Sequence, residues 1–216
     1  MNEQIFKAMV QSVIDGESEE AENLALQAIE LGIDPLEAIN KGYVVGVDYV
    51  GNLFSCGDAF LPELVMAGEA MKTAVNVLEP EMAKQGTERK MLGTVVLGTI
   101  EGDIHDIGKT LVGTMLSASG FKVLDLGVDV PVMTLVERAR AENADIIGVS
   151  ALLTTTMVRQ RDVIEALEDM GLRSTIKVMV GGAPVTREWV NEIGADGFSE
   201  DAVGAVAVAK ELLKVA

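Results

Sequence analysis

The chain has 216 residues, 49% hydrophobic and 24% charged, with a net charge of −17. Both halves are acidic, 16 acidic against 6 basic residues over 1–90 and 18 against 11 over 91–216, which repels a phosphate backbone and argues against nucleic-acid binding. No run of 18 apolar residues occurs, the N-terminus MNEQIFKAMVQSVIDGE lacks the marks of a signal peptide, and the lone Cys56 allows no intrachain disulfide, so no membrane association and a reducing, cytoplasmic setting are expected.

The first half predicts helices. Ile5, Met9 and Val13, then Ala21, Leu24, Ala28 and Leu31, form two amphipathic stretches. Asp34 before Pro35 is an N-cap followed by proline at the first helical position. Leu36, Ile39, Tyr43, Val47, Val50 and Phe54 then mark one helical face. A loop over 55–60 precedes a further helix carrying Leu61, Leu64, Met71, Val75, Leu78 and Met82. Four antiparallel helices with short connections predict a helical bundle over 1–86, with 87–90 as a linker.

The second half, 91–216, changes period. Short β-rich runs at 91–99, 122–127, 144–152 and 176–182, with a last one in 195–199, alternate with helical stretches at 107–119, 132–142, 155–170, 185–193 and 201–214. That alternation predicts an α/β fold, a flavodoxin-like doubly wound parallel sheet of five strands. Such folds bind ligands at the carboxyl ends of their strands.

Three motifs fall at that rim. Gly102-Asp103-Ile104-His105-Asp106-Ile107-Gly108 follows the first strand, Ser150-Ala151-Leu152-Leu153-Thr154-Thr155-Thr156 the third, and Gly181-Gly182-Ala183 the fourth. His105 is the only histidine in the chain. It reads either as a metal ligand, with Asp103 holding its other ring nitrogen, or as a loop histidine bonded to the backbone. Zinc is disfavoured, because no second histidine and no nearby cysteine complete a site. A metal that takes one protein ligand must bring the others, which points to a macrocycle. Gly108, Ser150, Gly181, Gly182 and Ala183 would let a bulky ligand approach the backbone, although a glycine pair after a strand is also ordinary turn chemistry.

The spacing Asp103-x-His105-x-x-Gly108, 41 residues, Ser150-x-Leu152, 28 residues, Gly181-Gly182 resembles the cobalamin-binding signature of the base-off/His-on family. That family includes methionine synthase and the corrinoid proteins of methylotrophic methanogens and acetogens. The stretch VGNLFSCGDAFLPELVMAGEAMKTAV resembles the family's helical cap.

The resemblance implies a cobalamin or related corrinoid, methylated in its cycle, with His105 as the axial cobalt ligand. Asp103, His105 and Thr156 would form a ligand triad, Thr156 standing where methionine synthase has serine. Ser150, Leu152, Thr154 and Gly181-Gly182-Ala183 would line the slot for the nucleotide tail, and the motif residues 102–108 would also bind the cofactor, Gly108 giving room for the tail. Phe54, Leu61 and Leu64 match cap residues that cover the upper face.

The function implied is that of a corrinoid methyl carrier. One partner, a substrate-specific methyltransferase, loads the methyl group. A second passes it to tetrahydrofolate or coenzyme M, and a reductive activation protein restores the cofactor. No catalytic barrel is expected, so donor activation lies with the partners and the chain is not catalytic alone. EGDIHDIG and DLGVDVP lean towards the methylamine type. A cobalamin-dependent regulator would need a DNA-binding module, and a mutase subunit fits poorly with the Phe-Leu-Pro cap. A phosphorelay receiver needs an aspartate ending the third strand, where this chain has Ser150.

Overall fold

The computed structural model describes residues 2–84 and 91–215. The chain divides into two compact units, Met1–Lys90 and Met91–Ala216. The expected linker, 87–90, lies outside the described residues.

The first unit is helical: α1 (Asn2–Ile14), α2 (Ser18–Glu30), α3 (Pro35–Ala38), α4 (Val44–Cys56) and α5 (Leu61–Lys84). Its buried faces are those the spacing predicts, with Ile5, Met9 and Val13 on α1 and Ala21, Leu24 and Ala28 on α2. Leu31 differs. It is exposed because α2 ends at Glu30 and Leu31 serves as its C-cap. The Asp34 carboxylate accepts from the Glu37 N–H at 2.8 Å, starting α3 with Pro35 in its first turn.

A π turn, Ile39–Tyr43, joins α3 to α4. Its wider winding shifts the phase of the apolar stripe. Ile39, Tyr43, Val47 and Val50 are therefore buried, while Leu36 and Phe54 at the two ends are only half-buried. The Tyr43 hydroxyl donates to the Ala21 carbonyl at 2.8 Å, tying this turn to α2. α4 continues two residues into the expected loop, to Cys56, and Gly57 then ends it in the left-handed conformation at φ 80°.

The second unit carries five strands among the described residues: β1 (Thr94–Thr99), β2 (Lys122–Asp125), β3 (Ile146–Ser150), β4 (Lys177–Gly181) and β5 (Gly197–Phe198). They form one sheet in the order β2-β1-β3-β4-β5, and every pairing is parallel. The helices between and after them are α6 (Ile107–Ala118), α7 (Val132–Ala141), α8 (Thr154–Met157), α9 (Gln160–Asp169), α10 (Arg187–Ile193) and α11 (Ala202–Leu213). The single helix expected over 155–170 is thus broken into α8 and α9.

β1 and β3 are buried on both faces, as parallel strands covered by helices on each side must be. On one face Val96, Ile147, Val149, Val178 and Val180 pack with Leu135, Val163, Leu167 and Trp189 from α7, α9 and α10. On the other, Leu97 lies so close to α6 that a Cβ on Gly113 would sit 3.2 Å from it. No helix among the described residues is long and apolar enough to cross a membrane.

Candidate functional site

The chain leaves β1 for β2 on one side and returns to β3 on the other. The carboxyl ends of β1 and β3 are therefore the switch point of the sheet, the usual ligand site of this topology. Register brings the three motifs together there. Thr99 pairs with Ser150, and Ser150 with Gly181, so the ends of β1, β3 and β4 stand side by side.

Asp103 is the organising residue. It is almost fully buried, yet it is a carboxylate. One oxygen, Oδ1, accepts from the His105 backbone N–H at 3.1 Å and lies 2.7 Å from His105 Nδ1. The other, Oδ2, accepts from the N–H groups of Leu152 and Leu153 at 2.8 and 3.2 Å and from the Thr156 hydroxyl at 2.7 Å. Burial pushes the carboxyl pKa up. Bonds from Thr156, His105 and Leu152 outweigh that and hold it well below the usual carboxylate range. Asp103 therefore stays ionised and joins the loop after β1 to the loop after β3.

An ionised Asp103 can only accept, so the proton between it and His105 resides on Nδ1. The neutral imidazole then has its lone pair on Nε2. The ring is about half exposed, 48% for the side chain, so this lone pair is accessible. Thr99 supports the loop from beneath, its buried hydroxyl donating to the His105 carbonyl at 2.8 Å. Sequence reasoning placed Asp103, His105 and Thr156 in one group, and the structure brings the three into one hydrogen-bonded chain.

The glycines separate into two kinds. At Gly182, φ is 125° and a Cβ would fall 1.7 Å from the Ala151 carbonyl oxygen, so the fold itself requires glycine there. At Gly108 and Gly181 a Cβ would meet nothing within 4 Å. Folding gives no reason for glycine at those two positions, and α6 would gain from alanine at Gly108 by about 1 kcal/mol. Space that the protein does not fill, at the carboxyl rim of the sheet, leaves the backbone open to a large group.

The other predicted residues lie in the same loops. Ile104 and Ile107 are 75% and 74% exposed, an unusual outlay of aliphatic surface beside Asp106, which is exposed at the start of α6. Leu152, Thr154 and Ala183 are exposed, Ser150 half-buried, and Gly102 takes φ 86°. In the helical unit Leu61 is exposed, Phe54 half-buried and Leu64 fully buried.

Several positioning residues escaped the sequence reading. Asp129 accepts from the Gly102 N–H at 2.7 Å, and its own N–H donates to the Asp103 carbonyl at 2.9 Å. Leu153 contributes a backbone donor. Buried Lys109 pairs with Asp125 at the end of β2, anchoring α6 directly after His105. Gln160 holds the ends of β3 and β4. Asp125 and Asp129 lie in the noted segment DLGVDVP and Leu153 in the motif after β3, but the roles of all of them, like those of Lys109 and Gln160, depend on contacts made across the fold.

Two substitutions test this division. Gly182→Ala is expected to destabilise the apo chain by about 3 kcal/mol or more, through the clash with Ala151 and the unfavourable φ. Gly181→Ala is expected to leave its chemical denaturation midpoint unchanged and to weaken binding of a large group at this rim.

A doubly wound sheet with one accessible imidazole, a carboxylate fixing its tautomer and open glycines at the switch point defines a ligand-binding α/β domain. Comparison with known proteins names the family. Residues 93–207 match the B12 binding domain model, and residues 5–79 match a second model also described as a B12 binding domain. The chain belongs to the B12-binding corrinoid-protein family.

It is 47% identical over 213 residues to the trimethylamine corrinoid protein of Methanosarcina barkeri, covering 99% of this chain and 98% of that one. It is 55% identical over 181 residues to dimethylamine corrinoid protein 2 of Methanosarcina acetivorans, covering 84% and 83%. Among solved structures, the methanol:cobalamin methyltransferase complex of Methanosarcina barkeri superposes with a TM-score of 0.87 at 30% identity, covering 99% of this chain and 81% of the other.

Proposed function

We propose that this chain carries a methyl group on the cobalt of a bound corrinoid, accepting it through a methylamine:corrinoid methyltransferase and passing it to a second methyltransferase that serves tetrahydrofolate or coenzyme M. The observation that carries the reading is the Thr156–Asp103–His105 chain, which presents one imidazole lone pair beside two glycines the fold does not need. The methylamine donor is supported by relatives whose names specify trimethylamine and dimethylamine.

The residues present suit this cofactor. His105 Nε2 is the one imidazole nitrogen on offer, and a corrin would bring the macrocycle's own nitrogen donors with it. Gly108 and Gly181 leave room for the nucleotide arm, with Ser150, Leu152 and Thr154 beside it in the base-off/His-on arrangement. Ile104 and Ile107 cover apolar ligand surface that would otherwise stay exposed. When bound, the corrinoid supplies the metal that takes up and releases the methyl group.

The chain's own part is proton control. Asp103 keeps a proton on His105 Nδ1 while Nε2 is engaged. Thr156 holds Asp103 in place for that role. The partners expected are the two methyltransferases and a reductive activation protein.

Apo protein is expected to bind hydroxocobalamin stoichiometrically and turn red. After reductive activation, it should accept methyl groups from a purified trimethylamine- or dimethylamine-specific methyltransferase and its substrate. Failure to bind any corrinoid would remove the whole reading. Methylation only by a methanol-specific enzyme would move the donor assignment and leave the carrier role intact.

A further inference from the structure

We propose that Gln160 is a positioning residue for the corrinoid's nucleotide arm, acting by fixing the carboxyl ends of β3 and β4 against each other. Gln160 is fully buried at the start of α9. Its Nε2 donates to the Val149 carbonyl at 3.0 Å and to the Gly181 carbonyl at 3.1 Å. Its Oε1 accepts from the indole N–H of Trp189 at 3.0 Å. Both amide hydrogens are thus engaged, and the amide also accepts.

An amide in such a place costs free energy to desolvate, and an apolar residue of the same size would serve the core beside Val163 and Leu167 at least as well. Its partners explain it. Val149 immediately precedes Ser150, Gly181 opens the glycine turn, and Trp189 lies on the helix that follows this turn. The Gly181 carbonyl also accepts from the Ala151 N–H at 3.0 Å, and Gly182 is in close contact with Ala151. Gly181 is therefore gripped through its carbonyl and open at its Cα. A clamp on that carbonyl sets how the Gly181 turn sits against its ladder partner Ser150, and so the shape of the open space above the two. The inference rests on the reading above that this space takes the nucleotide arm.

Two ligands separate the arm from the ring. Hydroxocobalamin carries the nucleotide, and diaquacobinamide has the same ring without it. In the double variant Gln160→Met with Trp189→Phe, both ends of the buried bond are removed together, so no indole N–H is orphaned and folding is preserved. That variant is expected to lose roughly tenfold in affinity for hydroxocobalamin and to keep its affinity for diaquacobinamide. Trp189→Phe alone leaves both donor bonds of Gln160 in place and should keep the wild-type ratio.

Equal weakening of both ligands, or of neither, would assign Gln160 to the core alone and overturn the proposal. Equal wild-type affinity for both ligands would overturn the reading of the nucleotide space, and the proposal with it. A second measurement needs no variant. Trp189 is the only tryptophan, so its indole N–H gives one nitrogen-correlated NMR signal. That signal should move with hydroxocobalamin and stay in place with diaquacobinamide. An indole signal indifferent to the difference between them would contradict the proposal.

Discussion

His105→Ala is expected to leave the apo chain within about 1 kcal/mol of wild-type stability and to remove the axial nitrogen from the bound corrinoid. The fold has little need of the imidazole. It is half exposed, and its one side-chain partner is Asp103. Without it, Asp103 still accepts from the His105-position N–H, Leu152, Leu153 and Thr156. The ligand, by contrast, loses the lone pair that the whole loop arrangement presents. The absorption spectrum of the loaded variant should therefore be that of a corrinoid without a nitrogen lower ligand. Affinity should fall at least about tenfold, roughly 1.4 kcal/mol. Free imidazole should restore the wild-type spectrum. A loaded variant with an unchanged spectrum would deny His105 its role.

Asp103→Asn is expected to do the reverse damage, harming the fold and the ligand together. Five donors converge on this carboxylate, and an asparagine has one acceptor oxygen. If that oxygen takes the Oδ2 place, the amide NH2 faces the His105 N–H, two donors in contact. It also faces Nδ1, which must then give up its proton and become the acceptor. The proton passes to Nε2, and the lone pair needed for ligation is gone. A loss of about 2–3 kcal/mol in apo stability is expected, with the loaded spectrum resembling that of His105→Ala.

The difference between wild type and Asp103→Asn should also depend on pH. The folded-state pKa of Asp103 is lowered, so its contribution is complete above the unfolded value of about 3.9 and declines as pH falls towards the folded value. Denaturation of the apo proteins at neutral and at acid pH measures this. A gap that widens on acidification would contradict the ionised, five-donor description.

Much of the second unit was legible because its physics is local. Short β-branched runs alternate with amphipathic stretches, and the three motifs begin where those runs end. The register that aligns Thr99, Ser150 and Gly181 could not be read from spacing, since it depends on which strands become neighbours. The same holds for Gln160, whose partners lie 11, 21 and 29 residues away. The glycine pair also divided in a way sequence does not reveal: Gly182 answers to the Ala151 carbonyl, and Gly181 answers to nothing in the protein. In the helical unit the three-and-four rhythm concealed the π turn at Ile39–Tyr43, because the step of four from Ile39 to Tyr43 reads the same for an α-helix as across a π turn.

The presence of a single histidine permits a decisive spectroscopic test of its ligation. Chain labelled with nitrogen-15 only in histidine, loaded with unlabelled cobalamin and reduced to the Co(II) state, should show its electron paramagnetic resonance nitrogen splitting change from a triplet to a doublet. That result places His105 on the metal. A triplet that persists would mean that the cofactor keeps its own nucleotide base as ligand, and absence of any nitrogen splitting would mean that neither is bound; either would contradict His105 as the axial ligand.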